Sequence, residues 1–166
     1  MDEIVTLAGV TKGALYHHFT DKEALFGAVF EEVQREVSDK AVAEFSRPDP
    51  WEALISGCVL WVDAHGDPAV RQIALTDARA VLGWEAARVI ETRFSTVAIR
   101  GALRKATRAG VLETEPLRPL ALMLTGALSE ACQYVAEADD PQEARIEIAG
   151  LVVGLLGGIR VAQTEE

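Results

Sequence analysis

Lys12, Tyr16, His17 and His18 put one cation and three hydrogen-bonding rings into a single short stretch. On the outer side of a helix, with Gly13 among them, these groups suit entry into the DNA major groove, where side chains reach base edges and phosphates. The local pattern supplies the elements such a face needs. Asp2 to Ala8 carries Ile4, Val5, Leu7 and Ala8, enough apolar surface for one side of a short helix. Gly9 stands where a helix end calls for positive φ. Thr11 is placed to cap a second helix whose Ala14, Leu15 and Phe19 point inward.

The run Ala8-Gly-Val-Thr-Lys-Gly-Ala-Leu-Tyr-His-His-Phe-Thr-Asp-Lys-Glu-Ala-Leu25 resembles the helix-turn-helix of the tetracycline-repressor family of transcription regulators, without a gap from about Asp2 to Ala28. The resemblance implies that Thr11, Lys12, Gly13, Ala14, Tyr16 and His17 lie on a recognition helix facing DNA, with His18 and Lys22 holding phosphates. Periodicity alone leaves Tyr16, His17 and Phe19 equally open to being core aromatics; the ordered string of matches weighs against that. Members of this family open with a further helix and a leader ahead of the segment that begins here at Met1. By resemblance, Ile4, Leu7, Leu15 and Phe19 are therefore expected to lack part of their cover, and the first twenty or so residues to be mobile or repacked.

A length of 166 residues suits one domain, or one with a small appendage, and the formal charge is −10. Residues 1–45 hold Lys12, Lys22, Arg35 and Lys40 against nine acids, an unfavourable balance for phosphate contact. Most of that acid follows residue 30, on a helix leading away from the DNA-like face. Cys58 and Cys132 lie far apart in apolar helical patterns, as reduced core residues of a cytoplasmic protein would. Ile148 to Ile159 is too short to span a bilayer, so no membrane partner is expected.

Hairpin signals are absent, and Ala, Leu, Glu and Arg dominate, which favours an all-α fold. Thr20-Asp-Lys-Glu23 reads as a capping box opening a helix to about Phe45, with Leu25, Phe26, Val29, Phe30, Val33, Val37 and Val42 on its stripe. Arg47-Pro-Asp-Pro50 marks the boundary between a shortened helix-turn-helix unit with its connecting helix (1–46) and a helical ligand-binding and dimerisation domain (47–166). In the second part, Asp49-Pro50, Asp67-Pro68 and Asp140-Pro141 each place a capping acid before a proline suited to the first helical position. Helices are expected over 50–65, 68–80, 84–109, 116–137 and 141–162.

In the last of these, Gly150, Gly154 and Gly158 recur every four residues. Interior glycine costs about 1 kcal/mol against alanine, so the repeat suggests a close approach. Together with Gly126 and Glu130 of the preceding helix, they fit a four-helix homodimer interface, where the resemblance also places the family's dimer contact. Close packing within one chain is the competing explanation.

Enzyme signatures such as GxSxG, HExxH and phosphate loops are missing. Neither catalytic residues, a metal site nor a cofactor is therefore expected. A small-molecule pocket fits better: Cys58, Trp61 and His65 share one helix face, Trp84, Arg88, Glu91 and Phe94 can line another, and Met123 is an adaptable neighbour. The resemblance then implies a repressor of a palindromic operator, released by a small-molecule effector. A helical ligand-binding dimer that has lost DNA binding, and an unrecognised helical enzyme, are the alternatives.

Overall fold

A computed structural model describes residues 1–161. Its helices are α1 (Asp2–Ala8), α2 (Lys12–His18), α3 (Lys22–Phe45), α4 (Pro50–Ala64), α5 (Pro68–Arg71), α6 (Ala78–Glu91), α7 (Val97–Arg108), α8 (Leu117–Glu137) and α9 (Pro141–Gly157). Wide π turns over Gln72–Asp77 and Thr92–Thr96 join α5 to α6 and α6 to α7. The expected helices over 68–80 and 84–109 are thus each one continuous path carrying a π turn. They separate at Gly83, whose φ of 77° and ψ of 165° interrupt α6. No strand forms among the described residues; Leu112 and Arg160 make a single isolated bridge that ties the α7–α8 loop to the segment after α9.

The three Asp-Pro signals act as read. Asp49, Asp67 and Asp140 each accept two backbone N–H bonds of the helix they open, and a proline occupies its start. The capping box differs. Asp21, not Thr20, caps α3 by accepting from the Ala24 N–H at 2.8 Å, while the Thr20 hydroxyl bonds Asp21 Oδ2. A carboxylate is the stronger acceptor for an orphan N–H, so the start moves by one residue. The end of α9 also differs: the helix stops at Gly157, Gly158 caps it, and residue 162 lies outside the described residues.

α3 is the spine, roughly 36 Å long at 1.5 Å per residue. Its far half joins the main core through Val37, Ala41 and Phe45, with Leu54 and Trp61 of α4, Leu103 of α7 and Leu156 of α9. Its middle enters a second cluster through Phe30, which packs with Ala74, Ala78 and Ala87. Val29 and Val42, expected on the buried stripe, are exposed, whereas Gln34 and Ser38 are buried. The covered face is therefore rotated toward 30, 34, 37, 38, 41 and 45, and two of its members are polar.

Gly57 is where α3 and α4 meet most closely. A Cβ there would run into the Phe45 ring, which is itself buried. Gly57→Ala gains up to ~1 kcal/mol of helix propensity but forces that ring aside, and overpacking costs ~1–3 kcal/mol. Net destabilisation is expected, seen as a lower denaturation midpoint in urea at unchanged slope.

Candidate nucleic-acid interface and ligand cleft

The DNA-like face is built by two short helices and their turn. Gly9 ends α1 at φ 64°, and Thr11 accepts from the Ala14 N–H at 3.1 Å to start α2. Of the inward-facing set, Leu15 is buried and Phe19 half-buried, but Ala14 is exposed. Lys12, Gly13, Tyr16, His17 and His18 share that exposure, and Lys22 stands exposed at the start of α3. On α1 only Val5 is buried; Ile4 is exposed and Leu7 is 89% exposed. His17 and His18 meet edge to face, with centroids 5.4 Å apart. Lys12 is ion-paired with Asp2, which lowers the Asp2 pKa and raises that of Lys12. Both partners are open to solvent, so the pair is screened and readily exchanged for another anion.

The second site is a cleft of about 290 Å³ between α6 and α8. Arg79, Trp84, Arg88 and Glu91 form one wall, and Thr125, Gly126, Ser129, Glu130 and Gln133 the other. Trp84 is 61% exposed, with the Arg79 guanidinium 5.0 Å from its ring centroid. Arg79 also lies 3.6 Å from Glu91, whose pKa is raised by burial against the pull of the two arginines.

Behind the cleft the packing leaves only a narrow slot, without room for a water-sized sphere. Here a buried chain of polar groups crosses three elements: Trp61 Nε1–H donates to Ser95 Oγ at 3.3 Å, and the Ser95 hydroxyl donates to Gln34 Oε1 at 3.1 Å. His65 packs on Trp61, ring centroids 4.2 Å apart, with Nδ1 2.8 Å from the Trp61 carbonyl oxygen.

The ligand residues expected from the sequence therefore part company. Trp61 and His65 line the slot, and Trp84 and Arg88 line the cleft. Cys58 faces a different space, an apolar groove of about 350 Å³ between α8 and α9. Phe94 and Met123 line neither cleft nor slot; Met123 points outward from α8 at 71% exposure. Periodicity fixes a helix face but not what covers it, so Cys58 and Trp61 share a face of α4 and still meet different spaces. Gln34, Ser95, Thr125 and Ser129 were missed. Gln34 was findable, as a polar residue four on from Phe30 in an apolar stripe; Ser95 needed the π turn that rotates it inward.

Burial lowers the His65 pKa from its ordinary 6.5. The sign follows: below pH 6.5 the unfolded chain takes this proton first, so His65 contributes full stability above 6.5 and loses it as the pH falls through the depressed folded value. The raised Glu91 works in the opposite direction, since the folded state protonates first. Melting His65→Gln beside the native chain between pH 7.5 and 5.5 isolates the histidine, and the variant's melting temperature should fall less on acidification. Both cysteine thiols are buried and pushed up to about 12, so alkylation of the native protein should be negligible.

The α8–α9 face completes the geometry. Leu151, Val153 and Leu155 are exposed there, beside the groove that Leu124, Ala131 and Tyr134 also line. A Cβ at Gly126, Gly150 or Gly154 would meet nothing within 4 Å. These glycines thus do not serve packing within the chain. Gly158, beyond α9, would meet the Leu155 carbonyl oxygen at 3.5 Å.

Residues 1–29 match the family model described as bacterial regulatory proteins, tetR family, and residues 51–159 match the one described as tetracyclin repressor-like, C-terminal domain. Similar curated proteins include the Transposon Tn10 TetC protein of Escherichia coli, 25% identical over 126 residues, covering 76% of this chain and 64% of that protein. The HTH-type transcriptional repressor BepR of Brucella suis biovar 1 is 32% identical over 125 residues, covering 69% and 59%. The matches thus span about three-fifths of those relatives' lengths. Among solved structures, a TetR-family transcriptional regulator from Pectobacterium atrosepticum superposes with a TM-score of 0.82 at 30% identity, over 98% of this chain and 83% of that one. The reduced form of E. coli NemR shares the fold at a TM-score of 0.70 and 15% identity, over 99% and 88%.

Proposed function

As the chain belongs to the tetracycline-repressor family of bacterial regulatory proteins, we propose that it is a DNA-binding transcription regulator, a repressor, whose hold on a palindromic operator is set by a small molecule in the α6–α8 cleft. The observation that carries the reading is the exposed face of α2. Its capped start brings Lys12, Gly13, Tyr16 and His17 to the surface together, where the major groove of DNA can receive them. Ala14 belongs to the same face. His18 and Lys22 are the phosphate contacts.

The protein acts as a homodimer through α8 and α9, since reading a palindrome requires two copies of α2 in fixed relation. Gly150 and Gly154 let the partner's helices approach, and Gly126 and Glu130 of α8 belong to the same interface. Effector entry moves α6, and α3 follows because four side-chain links join it to the cleft's own chain segment: Phe30 in the second core, Gln34 to Ser95, Ser38 to the Phe94 carbonyl, and Arg93 to Glu31 at 2.9 Å. Tilting α3 shifts the two recognition helices away from a separation of about 34 Å, one DNA turn. Operator binding must in turn weaken effector binding by the same factor.

Lys12→Ala tests the reading. It should weaken operator binding by roughly 1–3 kcal/mol if Lys12 reads a base, and Tyr16→Ala should weaken it too. Asp2→Asn should act oppositely, because it removes an anion that competes with phosphate for Lys12. Anisotropy titrations of labelled operator across a salt series give all three; unchanged affinity in both Lys12→Ala and Tyr16→Ala would refute the interface.

A further inference from the structure

The α6–α8 cleft already holds a cation of its own. The Arg79 guanidinium lies 5.0 Å from the Trp84 ring centroid and 3.6 Å from a Glu91 carboxylate oxygen. The second contact is loose: 3.6 Å is too long for a hydrogen bond, and among the described residues no other group bonds or ion-pairs Glu91. Yet the Glu91 side chain is only 19% exposed. Burial is the largest cause of its raised pKa and outweighs the opposing pull of Arg79 and Arg88 together. A mostly buried carboxylate is thus left short of positive charge and of donors. It lines a cleft of about 290 Å³, so a guest can reach it.

The other charges of the cleft leave that deficit in place. Arg88 and Glu130 are exposed and enter no ion pair among the described residues, so water solvates and screens both. On the facing wall the Thr125 and Ser129 hydroxyls donate to the Ala121 and Thr125 carbonyls, which leaves their lone pairs as acceptors. Trp84 is 61% exposed, and an aromatic face attracts a cation more strongly once water is displaced. An anion would instead bring like charge to the Glu91 carboxylate.

We infer that the cleft takes an organic cation with N–H donors, whose charged group displaces the Arg79 guanidinium from beside Trp84 and Glu91. Arg79 is then an internal stand-in for the ligand, loosely held and readily released to solvent. The inference rests on reading the cleft as the effector site, and it names positive charge as what that site selects.

Benzamidinium, benzamide and benzoate share one shape and are positive, neutral and negative, so they serve as probes. Calorimetry on the whole chain should show benzamidinium binding about ten-fold or more tightly than benzamide, the worth of a charge-assisted hydrogen bond, with benzoate weakest. Glu91→Gln keeps the side chain's shape and removes its charge, so the preference for benzamidinium over benzamide should vanish. Arg79→Ala gives the sharper result. Truncating this cleft side chain should strengthen benzamidinium binding, because the competing cation is gone. Arg79 is half-buried at the cleft, outside both apolar cores, so this variant decides the matter should Glu91→Gln fail to fold. Equal affinity for benzamidinium and benzamide, tighter binding of benzoate, no binding of any of the three, or weaker benzamidinium binding in Arg79→Ala would overturn the inference. Benzamidinium that binds as stated without changing operator affinity would leave the cleft chemistry standing and refute the effector reading.

Discussion

Leu155→Glu is expected to convert the proposed dimer to monomers and abolish operator binding with it. Leu155 is 63% exposed on α9, and the proposed interface covers it in both copies. Burying one leucine stabilises by ~1.5–3 kcal/mol, so losing two forgoes roughly 3–6 kcal/mol before the cost of enclosing two carboxylates is added. The dissociation constant should rise at least about a hundred-fold. Gly154→Ala separates interface from fold. Nothing lies within 4 Å of the new methyl, so the monomer gains up to ~1 kcal/mol of helix propensity, while a partner helix in close approach is pushed away. Sedimentation of both variants gives the answer, and an undiminished dimer for Leu155→Glu would place the contact elsewhere.

Phe30→Ala is expected to be the most damaging single truncation outside the main core. The side chain is fully buried and joins α3 to Ala74, Ala78 and Ala87. Removal of a buried phenylalanine costs ~3–5 kcal/mol, which lowers the melting temperature of a chain this size by roughly 10 °C. The cavity would also open at the contact through which the proposed coupling runs from the cleft to α3. Operator affinity without effector should therefore survive at low temperature, while its response to effector shrinks. Melting curves and operator titrations with and without effector measure the two parts separately, and an intact response would route the coupling through Gln34 and Arg93 instead.

Element boundaries were legible because the chain marks them chemically. Three Asp-Pro pairs, Gly9 and Thr11 each fix a backbone conformation that few other residues favour, so each acts locally whatever packs nearby. The face of α3 was less legible. Val29 and Val42 lose their places on the stripe to Gln34 and Ser38, because Ser95 and the Phe94 carbonyl supply hydrogen bonds from a segment 56–61 residues away. No pattern within α3 reveals that partner. The cleft was half legible for the same reason. Trp84 and Arg88 announce themselves by type, but the slot behind them exists only because a π turn directs Ser95 and Thr96 inward.

Whether a dimer reads a palindrome with paired copies of α2 is decided by selecting bound duplexes from a random library with the whole chain. Enrichment of an inverted repeat whose half-sites are centred one helical turn apart, about 10–10.5 base pairs, or a whole multiple of that, is expected. Recovery of no sequence above non-specific binding, or of a single unrepeated half-site, would contradict it.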